Sequence, residues 1–319
     1  MRVIVVGGGI IGLASAYYLA DRGADVTVLE RESVGAGSTD RANGGIRAQF
    51  TSPISVELSR ESIAVWERFE EDFGVDIGYR RPGYLFLART EETADRFAEN
   101  VRRQNDLGVS SEYLDPAEAK ERCPGLDAET YVGATYCPTD GFADPHLGLG
   151  GFSRAATGVE VTDVRTDGGA VVGVESTDGR YDADVVVNAA GAWAGRVGAM
   201  AGLDLPITPR RRKLMVVDPE RPVPADVPMT VDLDDGAHFR PEREGRAVVG
   251  GHFSESDPAQ DPDDYRKTTG LDWTVDVLEH VSTVADYFGP DTGVVRGWAG
   301  LYAVTPDHHP IIEETLPGL

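Results

Sequence analysis

Two apolar runs flank the first helix that the hydrophobic pattern predicts. Residues 2–6 (RVIVV) and 26–29 (VTVL) carry few polar side chains, which is typical of strands buried on both faces of a parallel sheet. Between them, apolar residues recur at helical spacing from Leu13 to Arg22, and Gly23 ends the helix. The pattern therefore predicts a complete βαβ unit at the start of the chain.

The rest of the chain contains segments with strand-like alternation and segments with the helical spacing of apolar residues. Residues 160–182 alternate apolar and polar positions around two glycine-containing turns, which predicts a small antiparallel meander. Residues 183–188 form a further apolar run, so we expect the first sheet to resume there. The other predicted elements are helices near 53–73, 90–107 and 116–123 and strands at 213–217 and 247–250.

Composition adds a strong acidic bias to this picture. The 319 residues include 30 Lys and Arg against 54 Asp and Glu, a net charge of −24, which excludes a general nucleic-acid binder because phosphates are met by clustered cations. Abundant carboxylates with almost no lysine predict a halophilic protein that concentrated salt keeps soluble. Residues 257–264 form an acidic, proline-containing loop that we interpret as a solvated surface segment.

The sequence contains no segment typical of membrane proteins or secreted proteins, and its two cysteines have no evident partners. No apolar run approaches the ~20 residues needed to span a bilayer, so no membrane span is expected. The first residues do not resemble a signal segment, which predicts a cytoplasmic protein. Cys123 and Cys137 cannot form a disulfide framework and have no partners at metal-ligand spacing, so we expect two free thiols and no metal site.

A glycine motif lies where the first predicted strand meets the first helix. Gly7, Gly9 and Gly12 form the pattern G-x-G-x-x-G, and Glu30 follows at the end of the second strand. Gly7 permits a tight turn, Gly9 lets a pyrophosphate approach the backbone, and Gly12 allows the helix to pack closely on the strand. Glu30 would accept hydrogen bonds from an adenosine ribose. The unit predicts dinucleotide binding without deciding between NAD and FAD.

Two further segments favour a flavin. Residues 35–47 form a loop of small residues directly after the ribose-binding strand, which lets a long cofactor lie against the backbone. Residues 183–193 resume the first sheet after a long interruption. A dinucleotide fold that is interrupted and then resumed is the usual layout of a two-domain flavoprotein.

The ordered set of motifs resembles the FAD-dependent family of glycine oxidase, D-amino-acid oxidase and sarcosine oxidase, and is most similar to the sarcosine oxidase β-subunit branch. The matching segments are 3–30, 41–47, 83–87, 139–146, 185–193 and 305–310. The resemblance implies an α/β fold with a Rossmann-like FAD-binding domain of the glutathione-reductase type and an inserted substrate domain of antiparallel sheet and helices. It also implies that residues 158–161 supply the third parallel strand of the first sheet. The implied FAD-binding domain comprises 1–48, 141–206 and 290–319, and the implied substrate domain comprises 49–140 and 207–289.

The resemblance also implies which residues contact FAD. They are Gly7, Gly9, Ile10, Ile11, Gly12, Glu30, Arg31, Gly37, Ser38, Arg41, Gly44, Gly45, Ile46, Val161, Ala189, Ala190, Gly191 and Trp193.

Two residues are candidates for catalysis. Arg47 matches the family arginine that helps to bind the substrate carboxylate beside the flavin, a task suited to the guanidinium fork. His252 follows a probable strand end in the substrate domain and could relay a proton, because imidazole titrates near physiological pH. His308 and His309 are alternatives for that role.

The implied reaction oxidises the C–N bond of a small anionic amino acid, of the sarcosine, dimethylglycine or glycine type, by hydride transfer to flavin N5. A flavin dehydrogenase for proline or a 2-hydroxy acid is an alternative, since Arg47 would bind any of these carboxylates. A non-catalytic FAD-binding subunit or truncated remnant is another, and an NAD-dependent enzyme is the most distant. Oxidase and dehydrogenase activity, partner subunits and the electron acceptor all stay open.

The chain differs from the family pattern after Leu319. The resemblance implies a further strand, a glycine-rich turn and a last helix beyond this residue. We therefore expect either a partial chain or a protein that has lost part of its function. One wall of the flavin site would then be open and one sheet edge bare.

Overall fold

The structure is a computed structural model that describes residues 1–152, 156–254 and 256–319. Within these ranges the helices are α1 (Ile10–Asp21), α2 (Pro53–Glu67), α3 (Phe69–Phe73), α4 (Glu91–Asp106), α5 (Pro116–Arg122), α6 (Pro145–Phe152), α7 (Ala194–Met200) and α8 (Leu271–Val284). The strands are β1 (Arg2–Val6), β2 (Asp25–Glu30), β3 (Gly45–Ile46), β4 (Tyr84–Ala88), β5 (Glu112–Leu114), β6 (Gly133–Cys137), β7 (Gly141–Phe142), β8 (Ala156–Thr157), β9 (Val161–Asp167), β10 (Ala170–Ser176), β11 (Gly179–Asp182), β12 (Val185–Asn188), β13 (Thr208–Asp218), β14 (Met229–Asp232), β15 (Ala237–Pro241), β16 (Ala247–Gly251) and β17 (Gly293–Val304).

The predicted βαβ unit forms the centre of a parallel sheet with the strand order β12-β1-β2-β8. β1 is apolar throughout its buried length because both of its faces are covered. Val3 and Val5 pack with α1, whereas Ile4 and Val6 pack with the meander and α7. β12 pairs with β1 in parallel, which confirms that the first sheet resumes at the predicted place.

The third parallel strand was predicted at 158–161, and this boundary is wrong. The strand is β8, where Thr157 is the partner of Glu30 at the end of β2. Gly158 follows with φ +74°, a left-handed conformation that ends the extended strand. Val161 instead begins β9, the first strand of the antiparallel meander β9-β10-β11 that the alternation predicted.

The end of the described chain packs against the first sheet. The backbone N–H of Val186 donates to Gly318 O at 2.7 Å, and that of Val171 donates to Pro317 O at 2.8 Å. Leu319 packs against the apolar core between the parallel sheet and the meander. The expected bare edge at β12 is therefore wrong, because residues 317–319 partly cover it.

A larger sheet has the order β17-β13-β16-β15-β14-β4-β6-β5 and is antiparallel except between β14 and β4. Successive strand residues point to opposite faces of a sheet. Leu85, Met215 and Phe239 lie on one face and form a continuous core with α8. Tyr84 and His238 lie on the other face, which lines a cavity. The predicted fold class is confirmed.

The predicted domain boundary between residues 289 and 290 assigns β17 to the FAD-binding domain and β13 to the substrate domain, although these two strands are paired in this sheet. β17 pairs with β13 from Thr208 opposite Val304 to Asp218 opposite Gly293. The division into an FAD-binding and a substrate domain stays a prediction.

The predicted helices are present with small changes. The segment predicted at 53–73 is two helices, α2 and α3, because Arg68 leaves helical geometry at φ −106°. α6 begins after Asp144, whose carboxylate accepts from the backbone N–H groups of His146 and Leu147. No helix in the described ranges is long and apolar enough to cross a membrane. Cys123 and Cys137 are buried free thiols, as predicted.

Candidate functional site

Two connected cavities lie between the parallel sheet and the large sheet. The first, here called the βαβ cavity, has a volume of about 550 Å³ and is lined by Gly7, Glu30 and Gly191 among others. The second, here called the sheet cavity, has a volume of about 1050 Å³ and includes Arg47 and Tyr84. Both are lined by a shared set of residues, Ile10, Ser38, Thr39, Arg41 and Ala42, so they form one continuous cleft.

The glycine motif shapes the βαβ cavity. A Cβ at Gly7, where φ is +110°, would lie 2.5 Å from Ala189 O, and one at Gly12 would lie 1.9 Å from Gly7 O. These two glycines therefore allow close packing of backbone on backbone. Gly9 differs, because the nearest atom to its Cβ would be Thr39 Oγ1 at 3.3 Å and the residue lines the cavity. It leaves the N-terminus of α1 accessible to a ligand.

Glu30 is fixed at the end of β2 by backbone donors. Its carboxylate accepts from Gly8 N at 2.7 Å and from Glu32 N at 2.8 Å. A carboxylate has about four acceptor positions, so two such bonds leave capacity for a ligand hydroxyl. Glu30 also lines the βαβ cavity, which places that capacity beside the glycine motif.

An ion-paired cluster closes one side of the βαβ cavity. The Arg31 guanidinium stacks on Trp193 with 4.3 Å to the ring centroid. Arg31 and the Trp193 indole N–H both donate to Asp263 Oδ1, each at 2.8 Å. Arg196 binds Asp263 and also Asp261 Oδ1, the latter at 2.6 Å. Desolvation would raise the pKa of Asp263, but these donors outweigh it and the pKa is lowered.

The acidic segment 257–264 lies at the surface as its charge pattern predicted, with Pro258, Ala259, Asp261, Asp263 and Asp264 exposed, but three of its carboxylates are ion-paired. Asp257 forms two hydrogen bonds to Arg212, at 2.9 and 2.8 Å, and Asp261 and Asp263 bind the cluster described above. The charge pattern did not predict these ion pairs, because distant arginines supply the partners and local charge does not reveal them. Pro262 and Asp263 of this segment line the βαβ cavity.

The loop of small residues connects the two cavities. Arg41 donates to the carbonyl oxygens of Gly37, at 2.6 Å, and Ala36, and thereby braces its own loop. The Ser38 hydroxyl donates to Leu301 O at 2.6 Å, which ties the loop to β17. Gly44, Gly45 and Ile46 line the sheet cavity and include β3, which pairs with β7.

Arg47 lies in the sheet cavity without a carboxylate partner. Its guanidinium is 4.4 Å from the centroid of the Phe50 ring and 5.1 Å from that of Phe86. No carboxylate of the described residues lies within ion-pair distance of it. The backbone is fixed next to it, because Ala48 N donates to the buried Asp140 carboxylate at 2.8 Å. A half-buried cation on aromatic faces is suited to binding a carboxylate ligand.

His252 also lines the sheet cavity. Its Nε2 lies 4.0 Å from Asp257 Oδ1. Desolvation and the nearby Arg212 lower its pKa, although Asp257 opposes this. His252 is therefore neutral at physiological pH and able to accept a proton. His308 and His309 line neither of the two cavities in the described structure.

The comparison with known proteins places this geometry in a family. The model of the FAD-dependent oxidoreductase family, of the D-amino-acid oxidase type, matches residues 2–319. The chain belongs to this family. It is an FAD-dependent oxidoreductase, and the resemblance stated from the motifs is confirmed.

Individual relatives agree with this assignment. The oxidoreductase is 30% identical to glycine oxidase of Geobacillus kaustophilus (strain HTA426), over 98% of the chain and 84% of that protein. It is 32% identical to mitochondrial dimethylglycine dehydrogenase of Rattus norvegicus, over 76% of the chain but only 30% of that longer protein. Its structure is similar to that of L-proline dehydrogenase from P. horikoshii, with a TM-score of 0.88, 31% identity, and coverage of 99% of this chain and 86% of that one.

The cleft of the oxidoreductase fits FAD. A glycine without a Cβ opens the α1 N-terminus to a phosphate, and Glu30 offers free acceptor positions at the strand end. The cleft then continues past small loop residues into a cavity with aromatic walls. All the residues expected to contact FAD line one of the cavities except Gly12, which packs behind Gly7.

Several residues of the site were not predicted from the sequence. Tyr84 and His238 lie in the sheet cavity, and burial lowers the pKa of His238 to about 4. Alternation along β4 and β15 would have placed each on one sheet face without showing which face meets the cofactor. Asp263 carried no signal, because its partners lie far away in the sequence.

Proposed function

We propose that the protein oxidises the C–N bond of a small amino acid, with glycine, sarcosine and dimethylglycine as candidate substrates. The observation that carries the proposal is Arg47, whose guanidinium has no carboxylate partner among the described residues and lies in a cavity continuous with the βαβ cavity. The relatives named for glycine and dimethylglycine support the same substrate class. Bound FAD supplies an electron acceptor, flavin N5, for a hydride from the carbon next to nitrogen.

The residues of this chain would bind and orient the substrate. Gly9, Glu30 and the loop 35–47 would hold FAD, and Arg47 would bind the substrate carboxylate through its fork. The aromatic rings of Phe50 and Phe86 beside Arg47 would lower the local dielectric constant around this ion pair and so strengthen it. His252 would take up the proton of the substrate ammonium group at its neutral imidazole, so that the amine is ready for oxidation.

A second candidate function is oxidation of proline or a 2-hydroxy acid. The structural similarity to L-proline dehydrogenase favours proline in particular. Arg47 would bind these carboxylates in the same way. We further propose a cytoplasmic protein adapted to concentrated salt, which the acidic composition supports.

The test is an absorption spectrum of protein purified in high salt, followed by anaerobic addition of single substrates. Sarcosine, dimethylglycine, glycine, proline and a 2-hydroxy acid are added separately, and bleaching of the flavin identifies the substrate. A protein that contains FAD but is bleached by none of them is the non-catalytic alternative and refutes the proposal.

Two arginine variants assign the carboxylate site. Arg47→Lys should weaken substrate binding at least tenfold, because the fork is lost, while FAD stays bound. Arg80→Lys is the matched control, since the Arg80 guanidinium also lies on an aromatic ring, 5.2 Å from the Phe142 centroid, but does not line the cleft. Loss of FAD in Arg47→Lys would show that Arg47 binds the cofactor instead.

A further inference from the structure

Tyr84 is a buried tyrosine whose hydroxyl lacks a partner. The residue begins β4, is 7% exposed and lines the sheet cavity. Its hydroxyl makes no hydrogen bond to any residue that the structure describes. Two other buried tyrosines nearby have partners: the Tyr136 hydroxyl on β6 donates to Pro82 O at 2.9 Å, and the Tyr131 hydroxyl, just before β6, donates to Asp232 at 2.8 Å. The buried side-chain atoms without a hydrogen-bond partner among the described residues belong to Gln104, Ser111, Asp140 and Arg211, so the Tyr84 hydroxyl is instead open to the sheet cavity and free to donate to a ligand there.

The Tyr84 hydroxyl lies close to the chain that carries Arg47. A Cβ at Gly45 would be 1.8 Å from this hydroxyl, which therefore abuts the backbone two residues before Arg47. The Tyr84 and Phe86 ring centroids are 5.9 Å apart, and the Arg47 guanidinium lies on the same Phe86 ring. The cation and the phenol thus share one wall of the sheet cavity.

The charge state makes the phenol a donor. Burial raises the pKa of Tyr84, and the Arg47 cation opposes this only in part. The hydroxyl is therefore protonated at physiological pH. A carboxylate between the two groups could accept the Arg47 fork and the phenol O–H together, because its two oxygens provide about four acceptor positions.

We infer that Tyr84 is a substrate-binding residue that donates a hydrogen bond to the carboxylate bound by Arg47. The inference rests on the proposed function, because it adds a second contact to the same carboxylate. It also explains why Gly45 has no side chain, since any Cβ would displace the hydroxyl. Two donors from different elements orient the substrate around its carboxylate better than one cation does.

The test uses the holoenzyme and acetate, a carboxylate that has no C–N bond to oxidise. The Kd of acetate is read from the change in flavin absorption. Tyr84→Phe removes only the hydroxyl and should raise this Kd about tenfold while the flavin content is unchanged. Tyr136→Phe is the control, because it removes a buried hydroxyl on neighbouring β6 outside the cleft, and should leave the Kd unchanged.

A double variant tests whether the two donors share one ligand. Adding Tyr84→Phe to Arg47→Gln should cost less affinity than Tyr84→Phe costs alone, since the carboxylate is already lost from its main site. An unchanged Kd in Tyr84→Phe, or a wild-type flavin that does not respond to acetate, overturns the inference. If acetate binds as expected but no amino acid bleaches the flavin, only the proposed function fails.

Discussion

At the scale of the residue, Gly45 and Tyr84 are complementary in shape. A methyl group at Gly45 would overlap the Tyr84 hydroxyl at 1.8 Å. Gly45→Ala should therefore destabilise the protein by about 1–3 kcal/mol, as overpacking does, and lower its FAD content. Adding Tyr84→Phe should restore most of this stability, measured by thermal unfolding.

Gly44→Ala is the control for that rescue. Its Cβ would lie 2.0 Å from Ala143 O, a backbone atom, and φ there is +77°. Tyr84→Phe cannot relieve this clash, so Gly44→Ala should stay destabilised in either background. Equal rescue of both glycine variants would show that Tyr84→Phe acts by another route.

His238 makes stability depend on acid pH. Burial lowers its pKa from 6.5 to about 4, so the folded state binds a proton less readily than the unfolded chain. The stability from the neutral ring is complete above pH 6.5 and is lost as pH falls towards 4. The loss should be on the order of 1–3 kcal/mol, since one pKa unit corresponds to about 1.4 kcal/mol.

Denaturant unfolding across this pH range measures the effect. His238→Gln should unfold with a flatter pH dependence than the wild type. His146→Gln, which changes an exposed imidazole, should keep the wild-type slope. Parallel curves for the wild type and His238→Gln would contradict the assignment.

Single residues differ in how far the sequence could predict them. Gly7, Gly9 and Glu30 lie where the motif predicted, because backbone geometry alone demands those residue types at those positions. Tyr84 and Asp263 could not be found in this way, because a tyrosine in a strand or an aspartate in an acidic loop is ordinary. Their roles depend on residues that are distant in the sequence and that the fold brings close to them.

At the scale of the element, the acidic segment 257–264 depends on Asp263 for its attachment. Asp263 accepts from Arg31, Trp193 and Arg196. Asp263→Ala should release the segment, with about fivefold faster tryptic cleavage after Arg266, because exposed pairs contribute up to about 1 kcal/mol.

The neighbouring Asp264 provides a matched control. Asp264 differs from Asp263 in that its side chain forms no hydrogen bond to a described residue. Asp264→Ala removes the same charge from the same segment and should cleave at the wild-type rate. Faster cleavage in both variants would mean that net charge, rather than the Asp263 contacts, attaches the segment.

Elements with a clear hydrophobic periodicity could be predicted from the sequence. Features that depend on contacts between residues far apart in the sequence could not. β1, α1 and the meander follow patterns that require only their own residues. β8 was displaced from its predicted position because a left-handed glycine, Gly158, ends it. The attachment of the acidic segment depends on Arg31, Arg196 and Arg212, and no local pattern contains that information.

For the molecule as a whole, stability depends on the repulsion among its carboxylates and on the salt concentration. The 54 acidic residues outnumber the 30 basic ones by 24, so 24 carboxylate charges stay unbalanced however the ion pairs are arranged. Their mutual repulsion acts over about 10 Å at 0.1 M salt and about 3 Å at 1 M. The same screening weakens exposed pairs such as Arg196 with Asp261, but exposed pairs of this kind contribute little to stability even at low salt.

Relief of repulsion should therefore exceed the loss of ion pairs. The melting temperature should rise by several degrees between 0.1 and 1 M KCl, since about 1 kcal/mol shifts the Tm of a large domain by 2–4 °C. Thermal unfolding of the holoprotein in KCl measures this, with sucrose as a control for solvent exclusion, because sucrose stabilises without screening charge. A Tm that falls with KCl would mean that the ion pairs around the cleft outweigh surface repulsion, and the halophilic interpretation of the composition would be wrong.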